Sequence, residues 1–382
     1  MRLSVVILNY NVRHFLHLCL QSVQHATRTL DAEIIVVDNN SPDDSCQMVK
    51  EYFPDVVLIE HPENSGFPKG NNIGVATAKG DYVCILNPDT VVAEGTFEKL
   101  FSFVDTTPDV GITGIKLVDG RGAFLPESKR GLPTPWVAFT KVAGLYKFFP
   151  KVKTFNHYYN VSVPENGTGT TDILVGAFMF MKRELYLQAG GFDEDCFMYS
   201  DDFDLSYTVT KLGLNNYYYG GATAIHFKGE STVKDGTYMR RFREAMQFFY
   251  KKHFRAYPIF DLFMRAGAFA FMFVKKNKKG VVVVPERYIL VSENEHLAKV
   301  LQNQFNKPLQ RVGSLTEETV FLQNPDAEII FDVEAVRYAD VIAFMNNHGK
   351  RFTYKMKPAG ADFIIGSNSS DDRGKVIDLK TE

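Results

Sequence analysis

Acidic side chains recur at the ends of apolar runs in this 382-residue chain. Asp38 closes Glu33-Ile-Ile-Val-Val37, and Asp89 follows Tyr82-Val-Cys-Ile-Leu86 across Asn87-Pro88. Asp201 and Asp202 open a stretch in which Leu205, Val209 and Leu212 recur at helical spacing, and His226 ends Ala222-Thr-Ala-Ile. Between the first two acids lies Asn64-Ser-Gly-Phe-Pro-Lys-Gly-Asn-Asn-Ile-Gly74. Each group has a structural use of its own: acids cap turns and complement helix dipoles, glycines make bends, and a histidine packs at a strand end. Together the acidic centres and the glycine-rich loop suit a site that binds a metal nucleotide, whereas His226 alone reads as structural. A carboxylate beyond the carboxyl end of a central strand is a hard-cation ligand, and a cation there holds phosphates. A carboxylate such as Asp38 can accept hydrogen bonds from a ribose or a base. The glycines permit close backbone approach to a ligand. One carboxylate then remains to act as a general base.

The elements that position these groups follow from the pattern of apolar runs. Tyr82 to Leu86 suits a strand buried on both faces, and Pro88 ends it because it cannot donate to a ladder. Strands are expected at Leu3–Leu8, Glu33–Val37 and Val56–Ile59. A helix capped by Asn11 should bury Leu16, Leu20 and Val23, and a second should start in Ser41-Pro-Asp-Asp44, with the proline and the acids in its first turn. A short helix ending at Gly80 and another starting near Gly95 flank the central strand. This alternation implies an α/β fold with a doubly wound, mostly parallel sheet. From Asp119 to about Gly169 the pattern gives way to Gly, Pro and aromatic residues around Lys129 and Arg130, which reads as a binding loop. Ile173 to Met181, including Gly176-Ala177, reads as a strand, and Ala222 to His226 as a short final one.

A chain of this length suits two units. The apolar fraction of 45%, the charged fraction of 23% and the net charge of −2 suit a globular protein and argue against a nucleic-acid binder. Cys19, Cys46, Cys84 and Cys196 are widely spaced, as in reduced thiols of a cytoplasmic protein, and the N-terminal apolar run is too short for a signal peptide. Residues 234–280 form a basic connector. Within it Pro258 to Val274 is apolar but shorter than the roughly 20 residues a spanning helix needs, and Asp261 and Arg265 interrupt it. It suits either a buried joining helix or a segment lying in a membrane interface. Residues 281–382 read as a small α/β unit with strands at Val281–Val284, Tyr288–Val291, Glu328–Phe331 and Val341–Phe344.

Residues 1 to about 232 resemble the large second family of glycosyltransferases, with the GT-A fold. The resemblance rests on Ser4-Val-Val-Ile-Leu-Asn-Tyr-Asn11, Val36-Val-Asp-Asn-Asn-Ser41, the Asn64–Gly74 run, Leu86-Asn-Pro-Asp-Thr90, Val175-Gly-Ala-Phe178, Gly191-Phe-Asp193, the Ser-Asp-Asp triplet at 200–202 and His226-Phe-Lys-Gly-Glu-Ser231. It is strongest to the branch containing rhamnosyltransferases of bacterial surface polysaccharides. The resemblance implies an inverting transfer from a UDP- or dTDP-sugar to a glycan or lipid-linked acceptor. It places Asn9, Asn11, Asp38, Asn40, Asn64, Gly66, Phe67, Gly70, Asn72 and Asn87 at the nucleotide, and Asp89 with His226 at a divalent cation, Mg²⁺ or Mn²⁺. Asn87 stands where the family's DxD signature has its first acid. The acidic pair maps to Asp201 and Asp202, the second being the base, and Asp201 replaces the commoner Glu. Gly176, Lys129 and Arg130 fall to the acceptor. With acceptors held on lipid carriers, the resemblance also implies peripheral contact with the inner face of the membrane.

Two other readings compete. A sugar nucleotidyltransferase would carry a Gly-rich, Arg-containing loop after strand one, where this chain has Asn9-Tyr10-Asn11. A non-catalytic nucleotide-sugar or polysaccharide-binding subunit would not need Asp89, Asp202 and His226 intact.

Overall fold

The computed structural model describes residues 1–134, 157–228, 236–254, 285–368 and 374–379. The apolar segment 258–274, the expected strand 281–284 and the lysines at 275–279 lie outside the described residues. In chain order, β1 (Leu3–Asn9), α1 (Arg13–Thr27), β2 (Ala32–Asp38), α2 (Ser45–Tyr52), β3 (Val57–Glu60), α3 (Gly66–Thr77) and β4 (Tyr82–Leu86) alternate as expected. They build the parallel half of the sheet, in the order β3-β2-β1-β4. β1 is buried along its whole length, which explains its unbroken apolar run.

The other half is mixed. It contains β5 (Thr90–Val92), α4 (Thr96–Thr106), β6 (Val110–Val118), β7 (Thr168–Thr170), β8 (Phe178–Lys182), α5 (Arg183–Gln188), α6 (Asp201–Lys211), β9 (Asn215–His226) and α7 (Gly236–His253). The sheet continues β4-β8-β6-β9-β5, with β7 also on β9. β8 runs antiparallel to both neighbours, and β5 and β7 run antiparallel to β9. β8 is shorter than the expected Ile173–Met181 run, because residues 173–177 lie outside the ladder: Ile173 bridges Arg130, the Gly176 N–H goes to Asp202 and the Ala177 carbonyl accepts the Asn87 N–H. β9 is longer than expected and begins at Asn215.

Helix starts differ from expectation for local reasons. Asn11 does not cap α1. Its backbone is left-handed (φ 58°), its N–H goes to Ser41 Oγ at 2.9 Å, and Asp43 Oδ2 accepts the Arg13 N–H at 3.1 Å. The β2–α2 loop therefore caps α1 from outside. α2 starts at Ser45, after the two acids, with Asp43 Oδ1 accepting the Ser45 N–H at 3.2 Å.

The second unit holds β10 (Tyr288–Val291), α8 (Glu295–Phe305), β11 (Leu309–Val312), α9 (Glu318–Gln323), β12 (Glu328–Asp332), α10 (Tyr338–His348), β13 (Thr353–Lys357), β14 (Phe363–Gly366) and β15 (Lys375–Asp378). Its sheet order is β11-β10-β12-β13-β14-β15, parallel through β13 and antiparallel beyond. The expected strand Val341–Phe344 is part of α10. Its buried residues Tyr338, Val341, Ile342 and Met345 follow helical spacing, so the short apolar run was one turn of an amphipathic helix.

The two units share one core. Val12, Phe15, Leu18, Val91, Ile225 and Phe227 pack in the same apolar cluster as Ile289, Phe331 and Val341. Gln21 exchanges two hydrogen bonds with the Ala359 backbone, at 2.8 and 2.9 Å. Glu94 accepts the N–H groups of Tyr338 and Ala339, at 3.2 and 2.7 Å, and so caps α10 from the first unit. A Cβ on Gly122 would sit 2.0 Å from the Met345 carbonyl oxygen, so only glycine allows the loop after β6 to lie on α10.

Candidate active site

Beyond β4, the chain turns sharply. Asn87 donates its N–H to the Ala177 carbonyl at 3.0 Å and receives the Thr90 hydroxyl at 2.8 Å, which carries Asp89 into β5. Thr90 pairs with His226, and the Phe227 N–H meets the Asp89 carbonyl at 3.0 Å. His226 Nε2 consequently lies 3.4 Å from Asp89 Oδ1 and 3.3 Å from Asn87 Nδ2. Asp89 and His226 are both buried, and His226 Nδ1 has no hydrogen-bond partner among the described residues. Among the described residues no three acidic, His or Cys side chains converge as a closed cage. One carboxylate, one imidazole and an amide suit a cation that takes its remaining ligands from substrate phosphates and water, as Mg²⁺ commonly does.

Asp38 ends β2 with its carboxylate held from three sides. Oδ1 accepts Asn9 Nδ2 at 2.7 Å and the Ser41 hydroxyl at 2.6 Å, while Oδ2 accepts the Ser41 N–H at 2.8 Å. Asn9 Oδ1, buried beside it, has no partner. Asn40 is exposed with a left-handed backbone (φ 62°). Asn64 Oδ1 accepts Asn39 Nδ2 at 3.0 Å and the Gly66 N–H at 3.2 Å, which ties the start of α3 to the end of β2.

The glycines of α3 serve the sheet more than a ligand. A Cβ on Gly70 would lie 2.3 Å from a Leu8 methyl, and one on Gly74 2.4 Å from a Val6 methyl. They let α3 sit directly on β1, so Gly70 is not at a ligand surface. Asn72 is also spent internally. Its side chain bonds the Phe192 carbonyl (2.9 Å) and N–H (3.1 Å) and the Tyr186 hydroxyl (2.5 Å), fixing the Gly190-Gly191 turn. Gly66 (φ 85°) is the one whose freedom opens toward the rim, where its added Cβ would meet the Phe197 carbonyl at 2.8 Å. Phe67 packs against Phe192 and faces Gly176.

Asp201 and Asp202 open α6 and are both buried. Asp202 Oδ2 accepts the Gly176 N–H at 3.2 Å and the Arg130 guanidinium. Arg130 also donates to the Leu174 carbonyl at 3.1 Å and lies over the Phe203 ring, 4.1 Å from its centroid. A two-way backbone bridge with Ile173, both bonds 2.9 Å, fixes its position. Burial, with the charge of Asp202 next in weight, pushes the Asp201 carboxyl up to about 7. Lys129 does not join this group. Its Nζ bonds the Asn160 carbonyl at 3.0 Å inside the fold, near the Phe124 and Tyr218 rings. Neighbours on extended backbone point to opposite sides, so only one of the two basic residues can reach α6. Gly176-Ala177 joins the two halves of the site: the Gly176 N–H holds Asp202, and the Ala177 carbonyl holds Asn87, two residues before Asp89. Asp204 was not apparent from the sequence. It anchors α7 to the acidic helix through His253 (2.6 Å) and Lys252 (2.9 Å). Its signal was an acid one turn after Asp201, with complementary charge in the basic connector.

Residues 4–188 match the model of Glycosyl transferase family 2. The matched stretch is just under half of the chain. The chain is 28% identical over 244 residues, 61% of its length, to an N-acetylglucosaminyl-diphospho-decaprenol L-rhamnosyltransferase of Mycobacterium tuberculosis, of which it covers 78%. It is 34% identical over 106 residues to the minor teichoic acid biosynthesis protein GgaB of Bacillus subtilis, covering 27% of this chain and 12% of that protein. A solved structure of a mannosyltransferase from Pyrobaculum calidifontis, in complex with GDP-Man and Mn²⁺, superposes with a TM-score of 0.46 at 22% identity, over 70% of this chain and 69% of that one. The chain is a glycosyltransferase with an α/β, mostly parallel sheet, as its motifs implied.

Proposed function

We propose that this glycosyltransferase moves a sugar, with inversion, from a UDP- or dTDP-sugar to a hydroxyl of a lipid-linked or growing surface glycan. A deoxyhexose such as rhamnose is the donor sugar favoured by the activity named for the mycobacterial relative. The observation that carries the reading is the shared backbone step Gly176-Ala177, which sets Asp202 beside the turn bearing Asn87 and Asp89. Asp38 and Asn9 hold the nucleoside end. Asp89 and His226 would hold Mg²⁺ or Mn²⁺, which when bound offsets charge on the leaving diphosphate. Asp202 receives the acceptor proton through Oδ1, since the bonds from Gly176 and Arg130 both fall on Oδ2. The acceptor oxygen bonds to the anomeric carbon as that carbon's bond to the diphosphate breaks, and the bonding pair leaves with the diphosphate. Work at the inner face of the membrane, through the basic connector, fits a lipid-linked acceptor. Among the described residues no helix is long and apolar enough to cross a membrane.

A panel of nucleotide sugars, each with Mg²⁺ or Mn²⁺, tests the reaction by ligand-dependent thermal shift and by release of nucleoside diphosphate. Asp202→Asn should keep the thermal shift and lose at least about 10²-fold in turnover. A native protein that binds a donor yet never releases its nucleotide would be the non-catalytic binder instead.

A further inference from the structure

Two carboxylates share the start of α6, and the buried Arg130 guanidinium pairs with one of them, Asp202. We propose that Arg130 is a positioning residue for this pair: it anchors Asp202 by Oδ2, leaves Oδ1 to the acceptor hydroxyl, and makes Asp202 the member that carries the negative charge. The proposal deepens the glycosyltransferase reading and rests on it.

Arg130 is itself buried, and its place is set by backbone. The bridge with Ile173 and the bond to the Leu174 carbonyl fix the guanidinium before it meets any ligand, and Phe203 supports one face. Its Nη2 reaches the same Asp202 oxygen as the Gly176 N–H. A carboxylate held by two donors on one oxygen is fixed in rotation, so its other oxygen has one direction. The charges around the pair are few. Asp201 is its neighbour on α6. Glu127, from the same loop as Arg130, is neutralised by Lys228, and Tyr158 lies near Arg130. Asp204, further along α6, is spent on His253 and Lys252. Among the described residues Arg130 is the cation paired with Asp202, and so it sets the balance within the pair. Two buried acids side by side resist double ionisation, and a guanidinium bound to one of them decides which keeps the charge. Burial and the charge of Asp202 push the Asp201 carboxyl up to about 7, and its protonation eases the repulsion that opposes a charged base in this setting. From α7 the Arg241 guanidinium lies over the Phe197 ring, 4.8 Å from its centroid, with no ion pair to either acid of the pair among the described residues.

Arg130→Gln removes the charge while keeping a polar side chain, and Arg130→Lys keeps the charge but loses the planar guanidinium whose Nη2 reaches both Leu174 and Asp202. Both are first checked by thermal melting and by donor-induced thermal shift, which a folded variant should retain. The acidic limb of the pH profile of kcat/KM should move upward by about 1 to 3 pH units in Arg130→Gln, the usual span for a carboxylate that loses an arginine partner. In Arg130→Lys the limb should stay within about half a unit of native while kcat falls about tenfold. An unmoved limb in Arg130→Gln, with the loss confined to acceptor KM, would make Arg130 an acceptor contact and overturn the proposal. Should Arg130→Gln prove unfolded, a limb in Arg130→Lys displaced as far as about 1 unit would overturn it equally. Carboxyl-carbon NMR titration of the resting protein, native against variant, reads the same pair without turnover. A native protein that releases no nucleotide would refute the transfer reaction, whereas an unmoved carboxyl titration refutes this role of Arg130.

Discussion

Replacing Glu94 by alanine should loosen the second unit from the first and, through it, the cation site. In the native fold the Glu94 carboxylate accepts two N–H groups at the start of α10, and its side chain is only 17% exposed. Loss of such a cap costs about 0.5–2 kcal/mol, and loss of a negative charge at a helix N-terminus about 0.3–1 kcal/mol more. The sum is about 1–3 kcal/mol, because both N–H groups lie at a packed interface where water is a poor substitute. With a denaturant slope of about 3 kcal/mol/M, the urea midpoint should fall by about 0.3–1 M. Glu94→Gln, which keeps one acceptor oxygen and loses the charge, should fall between native and Glu94→Ala. Because Val91, Ile225 and Phe227 lie in the core shared with α10 and flank Asp89 and His226 in sequence, the same change should raise the cation concentration needed for half-maximal turnover several-fold. The donor affinity measured in chelator should not change. Far-ultraviolet circular dichroism against urea gives the first number, and a Mn²⁺ titration of nucleotide release the second. An unchanged midpoint would mean that the α10 start is satisfied without Glu94 and that the units are held by apolar packing alone. A lowered midpoint with an unchanged cation requirement would separate the interface from the site and refute the coupling.

Asp89→Ala should weaken nucleoside diphosphate binding in the presence of Mn²⁺ and reduce turnover by at least about 10²-fold, and excess chelator should stop the native enzyme. Full activity in chelator would give the asparagine at position 87 a meaning of its own, a site that handles the leaving diphosphate without a cation. For membrane attachment, liposome flotation at low salt should carry the native protein with anionic vesicles, at about 1 kcal/mol for each basic side chain near the surface. Changing Lys275, Lys276, Lys278 and Lys279 together to Gln should release it. A native protein that stays in the soluble fraction would assign the apolar segment to the core.

The parallel half of the sheet was legible because its signals are local. β1, β2 and β4 are apolar runs punctuated by Asn, Asp or Pro, so reading the strands also located the candidates Asp38 and Asp89, while Asn9 became a candidate through the family resemblance. His226 closes β9 in the same way, but its candidate role came from the family resemblance, because a histidine ending a strand is by itself a packing residue. Elements whose identity depends on what they pack against were harder to read. Val341 to Phe344 looks like a strand until the residues before and after it, Tyr338 and Met345, are seen to share its buried face.

The glycines and the basic pair show where a residue type underdetermines its use. A glycine signals that something comes close, and at Gly70 and Gly74 that something is β1 rather than a phosphate. Lys129 and Arg130 are adjacent, both buried, and equally suited by charge to an acceptor. Strand alternation sends the first to the carbonyls of 159 and 160 and the second to Asp202. Which of the two turns toward α6 is fixed by the bridge between Arg130 and Ile173, 43 residues apart, and this pairing has no local signature. The same bridge explains why Gly176 and Ala177 leave the ladder. Once Ile173 is paired to Arg130, the next four residues must cross from that bridge to β8, and their free backbone groups are the ones that hold Asp202 and Asn87. The break in the expected strand is therefore what joins the acidic pair to the turn bearing Asn87 and Asp89.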